Sequence, residues 1–96
     1  MSNAPFVERI FESGADTIAV RFLLPTLAPG GEYQCRWEIH WPDHVQRRHT
    51  PGLDGLQALM LALRTVHAEL MDSDLYASER LTFEGKNDLG LPSSWW

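Results

Sequence analysis

Nine residues, 33–41, constrain this chain more than any other stretch. Tyr33, Cys35, Trp37, Ile39 and Trp41 alternate strictly with Gln34, Arg36, Glu38 and His40. A period of two, with one apolar and one polar side, describes a strand of an antiparallel sheet that is buried on one face and wet on the other. Such a strand needs strand neighbours and a cover for its apolar face. The rest of the chain must supply both. With 96 residues there is material for one hydrophobic core, hence a single domain over 1–96.

The neighbours can be read on either side. Residues 6–11 alternate weakly, with Val7, Arg9 and Phe11 on one face and Phe6, Glu8 and Ile10 on the other. Residues 17–24 alternate clearly, with Ile18, Val20, Phe22 and Leu24 on the buried side. Gly14-Ala15-Asp16 is a turn between them, and 25–31, with two prolines and two glycines, is a loop. Pro42-Asp43-His44 turns the chain into a fourth strand, 45–50. A three-residue turn there pairs Trp41 with Val45 and sets Glu38 against Arg48 on the wet face. A two-residue turn would instead put Gln46 and Arg48 on the apolar face. The charge pair and the burial of Val45 favour the three-residue register, with Arg47 and His49 left at a poorly covered edge. Residues 81–84 form a last short strand, either beside the first or apart from the sheet.

The cover is a helix over 55–71. Pro51-Gly52 breaks the strand, Asp54 stands three residues before Gln57 as in a capping box, and strong helix formers follow. Leu56, Leu59, Met60, Leu63, His67 and Leu70 share one face and are expected to meet the sheet. Asp72 and Asp74 oppose the helix dipole, which ends the regular helix near Met71. Asp72 or Ser73 would then cap one further turn through Tyr76. The fold expected is α+β: a four- or five-stranded, mostly antiparallel meander with one long helix across one face. Residues 1–4 are expected to fray, and 93–96 to form a tail.

Three side-chain groups carry possible chemistry. His40, His44 and His49 crowd the hairpin at spacings that suit a metal, but the strand faces point them apart, so no metal and no cofactor is expected. His67 and Cys35 face one another across the expected core near Tyr33, which outlines a pocket between helix and sheet. No charge stabiliser accompanies them, and a buried cysteine is most often an inert hydrophobe, so both are expected to be buried and structural. The third group is a surface. Arg21, Arg36, Glu38, His40 and Arg48 fall on the wet sheet face as a candidate binding surface. Ala58, Leu61, Ala62, Thr65 and Ala68 form a small-residue stripe on the back of the helix. With Trp95 and Trp96, it is a candidate for self-association as a homodimer.

The helix start Gly52-Leu53-Asp54-Gly55-Leu56-Gln57-Ala58-Leu59, the strand Cys35-Arg36-Trp37-Glu38-Ile39 and the ending Leu89-Gly90-Leu91-Pro92 together resemble a family of roughly hundred-residue bacterial proteins of unknown function. In that family a Gly-x-Asp-x-x-Gln-Ala-Leu helix start and a Leu-Gly-x-Pro segment recur. The resemblance covers the chain from the third strand to Pro92. It implies a bacterial origin and an α+β fold, and it implies no activity.

Composition narrows the function. Eight Lys and Arg against thirteen Asp and Glu give a net charge of −5, which disfavours a nucleic-acid partner. One cysteine excludes an intrachain disulfide. No apolar run approaches a membrane span and no signal peptide is visible, so a cytoplasmic protein without membrane contact is expected. The expected function is that of a small, non-enzymatic binding protein acting on a protein partner through a surface, as a bacterial inhibitor or immunity-type partner does. The alternative is a small enzyme or ligand-binding domain using the pocket around Cys35, Tyr33 and His67.

Overall fold

A computed structural model of the chain describes residues 5–91. The strands are β1 (Val7–Ser13), β2 (Asp16–Phe22), β3 (Thr26–Leu27), β4 (Tyr33–His40) and β5 (Val45–Gly52). The helices α1 (Gly55–Met71) and α2 (Asp74–Ala77) follow, and then β6 (Leu81–Thr82). The fold is α+β, with one antiparallel sheet and one long helix upon it. Among the described residues no helix is long and apolar enough to cross a membrane.

β1 and β2 are joined by a two-residue turn in which Gly14, at φ +62°, takes the left-handed conformation that such a hairpin requires. β5 pairs the whole of β4, so β2 and β3 must share the opposite edge of β4, β2 at Trp37–His40 and β3 at Tyr33 and Gln34. The sheet therefore runs β5, β4, β2, β1, β6, with β3 continuing the line of β2 after the break at Pro25. The four long strands form the expected meander. The short last strand returns to lie beside β1. The expected loop at 25–31 differs in that Thr26 and Leu27 add two residues of ladder to β4.

Burial follows the alternation. Phe11, Ile18, Val20, Phe22, Cys35, Trp37 and Ile39 point to the helix side and are buried. The 81–91 segment closes the part of this face near β1. Leu81 and Leu89 are buried there, and Arg9 donates from Nη1 to the carbonyls of Leu89 (3.1 Å) and Gly90 (2.9 Å). Glu12 accepts from Thr82 Oγ1 and the Gly85 N–H, both at 3.0 Å, which ties the turn after β6 to β1.

The hairpin register differs from the expected one. Ile39 lies opposite Gln46, Glu38 opposite Arg47 and Trp37 opposite Arg48. This is the register of the two-residue turn, and it puts Gln46, Arg48 and Thr50 on the helix side. Two buried or half-buried indoles explain it. Trp41 Nε1 donates to Gln46 Oε1 at 2.9 Å and Trp37 Nε1 donates to Thr50 Oγ1 at 3.0 Å. Each buried N–H needs an acceptor, and leaving one unpaired costs about 1–3 kcal/mol. A single surface ion pair contributes less. Trp41 also stacks on His44 within the turn.

Helix α1 is capped as its sequence indicates. Asp54 accepts from the Gln57 N–H at 2.8 Å, and Gln57 Oε1 accepts from the Leu53 N–H at 2.7 Å, one residue earlier than in a standard capping box. Ser73 caps α2 by accepting from the Tyr76 N–H. The face that α1 buries is turned by about a quarter of the helix from the expected one: Leu70 is in the core and Leu59 and Leu63 pack against it half-buried, but the centre of the buried face has moved to small residues. Ala58, Ala62, Val66 and Leu70 are fully buried, while Leu56 is 66% exposed and His67 is only half-buried. The bulky side chains Trp37 and Ile39 already fill the sheet side, so the helix approaches with its small residues inward.

Candidate functional site

On the side of the sheet away from α1, Glu8, Arg21, Glu38 and Arg47 lie directly opposite one another across β1, β2, β4 and β5. Adjacent strands carry opposite charges in strict order. Arg21 Nε meets Glu8 Oε2 at 2.9 Å, and Arg47 Nε meets Glu38 Oε2 at 3.2 Å. His40, two residues along β4, stands with Nε2 at 2.7 Å from Glu38 Oε1 and 3.4 Å from Arg21 Nη1. That nitrogen donates to Glu38 or accepts from Arg21, but not both at once. The next row, Ile10, Ala19, His40 and Val45, is mostly apolar, and Ile10 and Val45 are exposed.

Partial burial would by itself raise the Glu38 carboxyl. Hydrogen bonds from His40 and Arg47, with their charges, outweigh it and hold the group below the ordinary carboxylate range. A depressed carboxylate contributes stability that is present above its unfolded pKa and is lost as pH falls through its folded pKa. Glu38→Gln should therefore lower the melting temperature at pH 7. It should also flatten the loss of stability on going from roughly pH 5 to pH 3, as followed by circular dichroism.

Beside the charged row, Arg36 lies opposite His49. Among the described residues neither side chain has a hydrogen-bond or ion-pair partner, and neither has Arg48. With Leu23, Trp37, Glu38 and Arg47, these three line a cleft of about 420 Å³. Of the residues expected on the wet face, Arg21, Arg36, Glu38 and His40 are there. Arg48 is not: the register puts it opposite Trp37, on the helix side, where it stays exposed at the edge. Arg47 takes its place against Glu38. Arg47 and Glu8 were not expected in the site. The readable signal is Trp37 on β4 and Trp41 just after it, whose N–H groups need Thr50 and Gln46 on their own side.

The expected core pair does not assemble. Cys35 is fully buried, with its thiol 3.6 Å from the Leu23 carbonyl oxygen, and burial pushes its pKa up to about 11. His67 lies on the outer flank of α1, in open clefts lined by Met71 together with Arg64 on one side and Leu89 on the other. It is not among the fully buried residues, because the helix turns Val66 rather than His67 to the sheet. Tyr33 is half-buried opposite Gly52. Neither cleft beside His67 reaches Cys35. A thiol with this pKa is ionised about 100-fold less at pH 8 than an ordinary one. Native protein should thus react with a disulfide reagent at least that much more slowly than urea-unfolded protein, as read from thiolate release.

The self-association stripe is also displaced. Ala58 and Ala62 are in the core and cannot meet another molecule. Leu61 and Thr65 are half-buried and linked, Thr65 Oγ1 donating to the Leu61 carbonyl. Trp95 and Trp96, like the ends expected to fray at 1–4 and the tail at 93–96, lie outside the described residues. The large apolar side chains that α1 does expose are Leu56 in its first turn and Met71 at its end, with Leu53 exposed just before the cap.

The hairpin histidines stand in different surroundings: His40 on Glu38, His44 on Asp43 at 2.7 Å, and His49 opposite Arg36. Among the described residues no three His, Cys, Asp or Glu side chains are placed to hold one metal ion. A cleft of about 500 Å³ between the β4–β5 turn and the junction of α1 and α2 is acidic instead, with Asp43, Glu69, Asp72 and Asp74 beside Trp41. The His44 hydrogen bond holds the Asp43 carboxyl below its usual range. Glu69 is fixed by Gln46 Nε2 at 2.7 Å, the second bond of the Gln46 amide that also receives the Trp41 indole.

No curated protein and no solved structure shows significant similarity to the chain. Residues 7–93 match the family described as Domain of unknown function (DUF6968), a span that includes the α1 start and the Leu89-Gly90-Leu91-Pro92 ending. The chain belongs to that family.

Proposed function

We propose that the protein is a non-enzymatic binding protein that meets a protein partner through the open face of its sheet, in the manner of an inhibitor or immunity-type protein. The observation that carries this reading is the composition of that face. A row of alternating charges is flanked on one side by the exposed apolar residues Ile10 and Val45, and on the other by Arg36 and His49 without partners. Arginine beside apolar residues on a rigid sheet is the chemistry of protein recognition surfaces. A net charge of −5 favours a protein over a nucleic-acid partner. The test is affinity capture from the native host with wild-type protein, Arg36→Glu and Ile10→Glu, each verified as folded. One partner should be retained by wild type and lost by both variants. A partner retained by both variants, or no specific partner, refutes the reading.

Self-association is a second reading, favoured by the exposure of Leu53 and Leu56 at the start of α1 and of Met71 at its end. Light scattering that gives a dimer for wild type and a monomer for Leu56→Glu supports it. A wild-type monomer eliminates it.

A further inference from the structure

We propose that β5 takes up an acidic, extended segment of a partner protein by strand addition along its free edge. The proposal rests on the binding reading above and names the kind of partner and the way it docks.

The first observation is the edge itself. Among the described residues β5 pairs only with β4, so its outer side offers unpaired backbone N–H and C=O groups. Among the described residues it is the longest edge without a strand partner: on the other side of the sheet β6 meets only Glu12 and Ser13, which leaves the shorter stretch 7–11 of β1 open. Such an edge is a template for another strand. Pro51 has no N–H, so the usable part is 45–50, about 20 Å of strand.

The second observation is charge. The protein carries a net −5, yet Arg36, Arg47, Arg48 and His49 gather at this edge. Of these, only Arg47 is paired, with Glu38. Arg47 and His49 project on the open face, and Arg48 on the other. An incoming strand with acidic residues on both faces would meet a cation on each. Directly opposed unlike charges stabilise a strand pair and like charges oppose it.

The same charges argue against a second copy of this chain. A twofold antiparallel pairing of β5 with itself, centred on the strand, sets Arg47 against Arg47 or Arg48 against Arg48. The edge thus repels its own kind while remaining open to an acidic strand.

The probe is an acetylated, amidated octapeptide alternating Glu with Val and Thr. Two controls accompany it: the same peptide with Lys for Glu, and the acidic peptide N-methylated at the alternate amides that would face β5. Binding is followed by fluorescence anisotropy, and the docking site by amide hydrogen exchange. The acidic peptide should bind saturably and slow exchange within 45–50. The Lys peptide should not bind. N-methylation, or the protein variant Arg36→Glu/Arg48→Glu, should weaken binding roughly tenfold or more. Absence of saturable binding up to ~1 mM peptide overturns strand addition. So does equal binding of the Lys peptide, or binding that survives N-methylation and leaves β5 exchange unchanged. In each case the open-face reading is judged separately, by the capture experiment with Ile10→Glu, a residue far from this edge in the sheet order.

Discussion

Gly52→Ala is expected to destabilise the fold by about 3 kcal/mol or more, although it adds a single methyl group. Gly52 is the last residue of β5 and lies opposite Tyr33. A Cβ there would sit 2.4 Å from the Ala58 nitrogen, 2.7 Å from the Ala58 Cα and 2.9 Å from the Gln57 carbonyl carbon. All three are backbone atoms of the first turns of α1, so no side chain can rotate away. The residue is not in the left-handed region, and the requirement is for space rather than for conformation. The chain turns from β5 into α1 within three residues, and Gly52 lets the helix rest directly on the strand end. Relief would require lifting the start of α1, which would open Ala58 and Ala62 to water. Gly30→Ala is the control, since a Cβ there has nothing within 4 Å and no positive φ. It should change stability by no more than about 0.5 kcal/mol. Urea midpoints decide: a loss below about 1 kcal/mol for Gly52→Ala would mean that the strand–helix contact is looser than described.

Gly52 also marks the kind of information that the sequence holds poorly. Beside Pro51 it reads as a break, whereas β5 continues through it. The alternation of β4 and β2 was legible because one residue type dominates each face over seven or eight positions. The cap at Asp54 and Gln57 and the end of α1 at Met71 were legible because they depend on local spacing. What was not legible depended on contacts between segments. The hairpin register turned on whether one exposed ion pair or two indole N–H groups set the pairing, and buried donors have the stronger claim. With the register shifted, Arg48 left the candidate site and Arg47 entered it. Arg21, Arg36, Glu38 and His40 needed only the face of their own strand, and so were placed correctly. The pocket around Cys35, Tyr33 and His67 depended on which side of α1 faces the sheet, and the helix is rotated enough to carry His67 to its flank.

That rotation yields the sharpest contrast between two substitutions. Ala62→Glu should destabilise by about 4 kcal/mol, and Leu56→Glu should alter stability by no more than about 0.5 kcal/mol. Counting hydrophobicity alone gives the opposite ranking, since Leu56, Met60 and Leu63 make a more apolar stripe than Ala58, Ala62 and Val66. Volume decides instead. The sheet side presents Trp37, Ile39, Phe22 and Phe11, all buried, and these already occupy the space between the layers. A helix meeting them with leucine and methionine would have to stand farther off, leaving the packing gaps that cores avoid. With Ala58 and Ala62 inward the helix comes close, as the clearance at Gly52 shows. A glutamate at position 62 has neither room nor a cation: the arginines of the neighbouring strand are exposed at its edge. It must bury a charge or force the layers apart. A glutamate at position 56 replaces a side chain that is 66% exposed. It also stands in the first turn of α1, where a negative charge is favoured by the helix dipole and where no acidic residue is now present. Far-ultraviolet circular dichroism with urea titration reads both variants. A stable Ala62→Glu protein together with an unfolded Leu56→Glu protein would return the leucine stripe to the core and remove the basis for self-association through the start of α1.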